Sequence, residues 1–262
     1  MTVIPGGGLM NPRMTFATAG RVLAQLRHDH RTIALLLVVP CLLIALLAWV
    51  FDGQPAVFDR IGPLLLAIFP LVVMFIVTSV AMLRERTSGT LERLLAMPLN
   101  KLDLLLGYAL AFGILAVVQS GLATAVSLWL LGLDIAGSAG WLLVTALLAA
   151  LLGTALGLLA SAFAQTEFQA VQFMPALVLP QLLLCGLFVP REAMHSVLEA
   201  ISDVLPLSYA VDAMAEVATS SGLSGQATRD YAVLAAFIIG ALALGAATVS
   251  YTHLTLPTKR IV

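Results

Sequence analysis

Charge is what this sequence has least of. Of its 262 residues, 10% are Asp, Glu, Lys or Arg, while 61% are hydrophobic. A soluble domain carries about 25% charged residues, so the composition excludes an ordinary soluble protein and points to an integral membrane protein. The formal net charge of -1 leaves no basic excess for nucleic acid and no acidic or basic field for a charged substrate. There are two cysteines, Cys41 and Cys185, both inside apolar runs. They read as small buried hydrophobes, not as a metal site or a disulfide framework. Aromatics are sparse, with three Trp and four Tyr, which disfavours a channel lined by rings that stack on sugars.

What is abundant is uninterrupted apolar sequence. A helix crossing the hydrocarbon core needs roughly 20 mostly apolar residues. Six stretches qualify: 32–51, 61–83, 104–131, 141–164, 171–189 and 231–249. The spans must be helices, because open strands would leave backbone groups unpaired in lipid. The first run is long enough to span and so reads as a membrane helix, not as a cleavable signal peptide. The expected fold is therefore an all-α membrane protein with six spans. Residues 1–31 form a tail and an interfacial helix, and residues 32–249 form the transmembrane domain. Over 12–31, Phe16, Ala19, Val22, Leu23 and Leu26 recur at helical spacing, as in a helix lying in the headgroup plane. The stretch "SYTHLTLPT" at 250–258 resembles the translation of a sequencing adapter, so residues 250–262 read as a non-native tail.

Orientation follows the basic residues in the flanks. Arg13, Arg21, Arg27 and Arg31 precede the first span, and Arg84, Arg86, Arg93 and Lys101 lie between the second and third. The opposite loops hold only Arg60, Arg191 and Arg229. Both termini are expected in the cytoplasm.

The spans themselves lack ionisable side chains. An ion-coupled secondary transporter uses intramembrane acids, histidines or arginines, so this absence argues against one. The sequence also has no G-x-x-x-x-G-K-[ST] phosphate loop. Uphill movement would draw its energy from another protein. His28 and His30 flank Asp29 without a further ligand at metal spacing and read as a solvated turn.

Against this apolar background, "RERTSGTLERLLAMPLNKLD" at 84–103 is conspicuous. Residues 90–97 read as a short helix. Ser88 or Gly89 can cap it, Glu92 favours its first turn, and Leu91, Leu94 and Leu95 form one apolar stripe. Pro98 stops it. So short a helix is unstable alone and must lie against a membrane, the spans or a partner.

This stretch resembles the loop after the second span of type-2 ATP-binding-cassette (ABC) exporter permeases, through Glu85, Arg86, Gly89, Thr90, Leu91, Glu92, Leu94 and Pro98. A second segment, 186–214, is similar to the family's extracellular hairpin through Gly186, Pro190, Pro206, Leu207 and Tyr209; His195 and Ala215 depart from its pattern. The resemblance implies that 90–97 is a coupling helix seated on a separate cytoplasmic ABC ATPase, and that the hairpin after the fifth span is a re-entrant extracellular gate. It implies a homodimer or heterodimer with a second permease. ATP and Mg²⁺ would sit on the ATPase, with no cofactor or catalytic residue on this chain. The cargo would be a drug-like or lipid-like amphiphile leaving the cytoplasm across the plasma membrane. A lipid or glycan exporter of the same family, or a non-transport scaffold, is the alternative.

Other features admit two readings. Gln119, Gln172 and Gln181 could line a pathway or bond helix to helix. Gly153 and Gly157 permit close packing, within the chain or at a dimer seam. Pro63, Pro70, Pro175 and Pro180 are expected to kink their spans.

Overall fold

A computed structural model describes residues 11–88 and 101–251. Its long elements are all helices, the arrangement that closes backbone hydrogen bonds within each segment. In chain order they are α1 (Pro12–His28), α2 (His30–Val50), α3 (Pro55–Thr87) and α4 (Lys101–Ala125), which runs into a π-helical turn at Val126–Leu130. Then come α5 (Ala139–Ser161), α6 (Glu167–Leu184), a 3₁₀ turn at Arg191–Ala193, α7 (Ser196–Ser202), α8 (Pro206–Thr219) and α9 (Gly225–Tyr251).

Among the described residues, five helices are long and apolar enough to cross a membrane: His30–Val50, Pro55–Thr87, Leu106–Leu130, Ala139–Ser161 and Gly225–Gly245. They fall on five of the six expected spans. The remaining stretch, 171–189, lands on α6, which starts earlier at Glu167 and stops at Leu184. Glu167, Gln169, Gln172 and Gln181 dilute its apolar run, and the chain turns out of helix at Gly186, whose φ of 93° suits a residue without Cβ.

α3 is the centre. At 33 residues it is about 50 Å long by the 1.5 Å rise, longer than the roughly 30 Å hydrocarbon core. Its side chains from Leu64 to Leu71 and again from Val73 to Leu83 are largely buried. Pro63 and Pro70 lie inside the helix, as do Pro40 in α2 and Pro175 and Pro180 in α6.

Among the described residues, α3 and α5 share the most extensive interface, and the reason is local. A Cβ at Gly153 would sit 2.2 Å from the Leu71 carbonyl oxygen, and one at Gly157 would sit 2.6 Å from that of Phe75. Apolar side chains gain little from leaving lipid, so backbone approach and dispersion hold membrane helices together. The small-residue pair is therefore an intrachain seam.

Two large apolar clusters follow from this axis. One surrounds Leu66, Leu71, Leu142, Leu152 and Met214. The other surrounds Met74, Met82, Leu104, Tyr108 and Phe112.

α1 differs slightly from its expected extent of 12–31. It ends at His28 because Asp29 caps α2 instead, its carboxylate accepting the Thr32 N–H at 3.1 Å. Arg31 thus belongs to α2. The expected stripe is otherwise present: Ala19, Val22 and Leu26 are buried, mostly against α4, while Phe16 is exposed. α9 continues two residues beyond the expected end of the last span, to Tyr251. Residues 252–262 of the presumed tail lie outside the described residues.

Candidate functional site

Only the start of the segment 85–98 lies within the described residues, which resume at Lys101. Of its resemblance-bearing residues, Gly89, Thr90, Leu91, Glu92, Leu94 and Pro98 lie outside the described residues; Glu85 and Arg86 lie within them. Both belong to the last turn and a half of α3, and both are anchored. Arg21 of α1 donates to Glu85 Oε1 at 3.2 Å and to the Tyr108 hydroxyl of α4 at 2.6 Å. Its guanidinium also lies over the Tyr108 ring. One arginine thereby joins α1, α3 and α4. Arg86 donates to the Ser161 carbonyl at 2.6 Å, capping an end group of α5. Arg84 forks onto both oxygens of Glu167 at the start of α6, at 2.7 and 3.0 Å.

The far side of the segment is held in the same way. Asp103, in the first turn of α4, is almost fully buried. It accepts the Asn11 N–H at 3.0 Å and the Thr15 hydroxyl at 3.3 Å, tying α4 to the start of α1. Gly107 lets the two helices touch, since a Cβ there would meet Thr18 Cβ at 2.5 Å. Residues 89–100 therefore leave from and return to a base that α1 braces.

The electrostatics fit. Hydrogen bonds from the Thr32 hydroxyl and amide hold the Asp29 carboxyl below the usual carboxylate range. Arg84 does the same for Glu167. His28 donates from Nδ1 to the Ala24 carbonyl at 2.7 Å. Among the described residues no group of three potential metal ligands occurs.

At the opposite end, the structure brings Gly186, Pro190, Pro206 and Tyr209 into one hairpin. The chain turns at Gly186 and Pro190, forms α7, and re-enters helix at Pro206, whose missing N–H costs nothing at a first-turn position. The Ser202 hydroxyl donates to the Leu184 carbonyl at 2.8 Å, and Gln181 Oε1 accepts the Leu207 N–H at 3.2 Å. α7 and the start of α8 are thus folded back on the end of α6. Tyr209 donates its hydroxyl to the Asp203 carbonyl at 2.6 Å.

The organising residue here is one that sequence reasoning counted only as a loop charge. Arg191 ion-pairs with both Asp203 and Asp212 and lies over the Tyr209 ring. Its side chain is 14% exposed. One arginine among four acidic residues within 186–214 was the available signal. Arg21, Tyr108 and Glu167 were missed as well, and they are separated by more than 60 positions from the partners they meet.

The three glutamines are not brought together. Gln119 donates to the Leu36 carbonyl at 3.1 Å, bonding α4 to α2. Gln181 donates to the Leu177 carbonyl at 2.9 Å and accepts from α8. Gln172 is exposed.

The sequence profile described as ABC-2 type transporter matches residues 14–218. The chain is 31% identical over 150 residues to YbhR of Escherichia coli K12, a "Probable multidrug ABC transporter permease"; the match covers 57% of this chain and 41% of that protein. It is 29% identical over 187 residues to YbhS of the same organism, which bears the same description, covering 71% and 47%. The "Linearmycin resistance permease protein LnrN" of Bacillus subtilis is 25% identical over 136 residues, covering 52% and 35%. The matched region thus spans less than half the length of these relatives. With the end of α3 and the start of α4 both tied to α1, a turn back after α6 and a profile match over most of its length, this multi-pass chain belongs to the ABC-2 type transporter family of membrane permeases.

Proposed function

We propose that this chain is the membrane-spanning subunit of an ATP-driven exporter, moving a drug-like or lipid-like amphiphile out of the cytoplasm. Residues 90–97 act as a coupling helix against a separate ABC ATPase, which holds ATP and Mg²⁺. α6 serves as the fifth of six spans, and α6 to α8 form a re-entrant extracellular gate containing Gly186, Pro190, Pro206 and Tyr209. The Arg-rich end and both termini face the cytoplasm. A second permease, identical or different, completes the transporter. Gln172, exposed on α6, is the glutamine most available to line a pathway. The names of the relatives, two multidrug and one linearmycin-resistance permease, support the cargo class.

The observation that carries this reading is the braced base. A loop meant only to connect two spans has no need of the Arg21 link to Glu85 and Tyr108, or of Asp103 buried under α1. A segment that passes motion between a partner and the spans needs ends that move as a unit with them.

Two measurements test it. Glu92→Arg and Leu94→Asp should insert normally but lose ATPase pull-down by more than tenfold, since an interface anchor is commonly worth about 2 kcal/mol. Stimulated ATP hydrolysis should fall in parallel. Parent-like binding by both variants would remove the coupling assignment. Separately, a cysteine at Ser138 should react with impermeant maleimide in intact cells, and one at Ser88 only after permeabilisation. The reverse pattern would invert the topology.

A further inference from the structure

Beneath α1 lies a cavity of about 470 Å³, walled by α1, α2 and α3. Its floor is apolar, formed by Val22, Leu26, Leu35, Val77 and Ala81, and its rim is polar, with Gln25, Asp29, Arg31 and Arg84. Most rim charges are already engaged. Asp29 is bonded by Thr32, Arg84 by Glu167, and Glu85 by Arg21. Arg31 forms no ion pair among the described residues and is exposed. Arg13 and Arg27 of α1 are likewise exposed and make no ion pair there. The cavity thus joins an apolar floor to an uncommitted cation.

Its wall also continues into the hydrocarbon-facing surface. Leu35 belongs to the cavity and begins an exposed stripe on α2 with Val38, Leu42 and Leu46. A hydrocarbon chain can therefore slide in sideways along α2 without crossing water.

We propose that this cavity binds a phospholipid of the adjoining leaflet, with its phosphate at Arg31 and one acyl chain between α1, α2 and α3. A guanidinium suits a phosphate. A juxtamembrane basic cluster attracts anionic lipid in particular. The bound lipid fills the gap between the brace helix and the base of the 89–100 segment, linking α1 to α3 by a second route beside the Arg21–Glu85 pair. The site rests on α1 lying at the headgroup plane, as in the exporter reading, but needs neither an ATPase nor a cargo.

The test uses the full chain in nanodiscs of zwitterionic lipid doped with phosphatidylglycerol carrying an acyl-chain diazirine. After irradiation, adducts should concentrate on 22–26 and 76–81, above those on the exposed faces of α2 and α4. Ala81→Trp fills the floor and should abolish the concentrated adducts while leaving those on α4 unchanged. Arg31→Glu, at an exposed rim position that does not disturb packing, should lower them about tenfold. It should have no effect on a diazirine-bearing fatty alcohol, which lacks phosphate. Adducts spread evenly over the surface, or unchanged in both variants, would overturn the site. So would fatty alcohol and phosphatidylglycerol responding alike to Arg31→Glu. If ATPase pull-down by the parent fails while the adducts remain, the exporter reading falls and the lipid site stands.

Discussion

The two ends of this bundle are tied by opposite strategies. At the Arg-rich end, α1, α3, α4, α5 and α6 are joined by several separate links, from exposed to buried: Arg84 to Glu167, Arg86 to a carbonyl, Arg21 to Glu85 and Tyr108, and Asp103 to α1. At the hairpin end a single half-buried guanidinium, Arg191, grips two carboxylates and a ring. A distributed clamp tolerates the loss of one member, because the others hold the same helices. A concentrated clamp does not, because removing its centre leaves two carboxylates without their cation. Under the proposed exporter reading, the first would suit a base that stays whole through each cycle and the second a gate that moves as a unit.

The comparison breaks most easily at Arg191. Replacement by Leu should cost about 2–3 kcal/mol, reduced from the value for a fully buried pair because Asp203 is 59% exposed. Thermal unfolding in detergent would show it, and Asp212→Asn combined with Arg191→Leu should recover part of the loss. A change under about 0.5 kcal/mol would mean that the hairpin is held by its backbone and hydroxyl bonds alone.

A middle effect belongs to Arg21. Arg21→Leu should cost about 1–2 kcal/mol, since it strands Glu85 and the Tyr108 hydroxyl. A double-mutant cycle with Glu85→Leu should return a coupling of at least about 0.5 kcal/mol. Additivity would show that the brace is carried by α1 packing and Asp103 instead.

The smallest effect is expected at Arg84. Both its side chain and that of Glu167 are about half exposed, 55% and 52%. Arg84→Ala should therefore shift stability by less than about 1 kcal/mol. The sign with pH is fixed. The Glu167 carboxyl is held low by Arg84, so the pair contributes above the ordinary carboxylate range and is lost as pH falls through the lowered value. The difference between parent and Arg84→Ala should narrow on acidification. A difference that widens would reverse the assignment.

How much of this was legible in advance differs by element. The apolar runs at 32–51, 61–83, 104–131, 141–164 and 231–249 became helices that fit a membrane, because length and hydropathy leave the backbone no other solution. The run at 171–189 was harder. Its apolar count persuades, but two prolines, two glutamines and Gly186 let the chain leave the helix at Leu184. Residues 12–31 were split by Asp29, a cap visible only as one carboxylate among basic neighbours.

The candidate sites divide in the same way. Gly186, Pro190 and Pro206 were readable as turn and helix-start residues because those are local events, while their part in a gate, with Tyr209, is a proposal. Arg191 was visible as a charge, but its partners were not.

By itself, then, the sequence determined the solvent, the secondary structure and the punctuation: an apolar chain, helices wherever charge was absent, and caps and stops between them. Those are consequences of composition and of neighbours within a few residues. Tertiary structure alone decided which helix faces meet. Gly153 and Gly157 could have served a dimer, and only the approach of the Leu71 and Phe75 backbones shows that they serve α3. Arg21, Arg84 and Arg191 each had several carboxylates to choose from. The choice was made by helices brought together through dispersion and backbone contact, forces that act over distances no local pattern records.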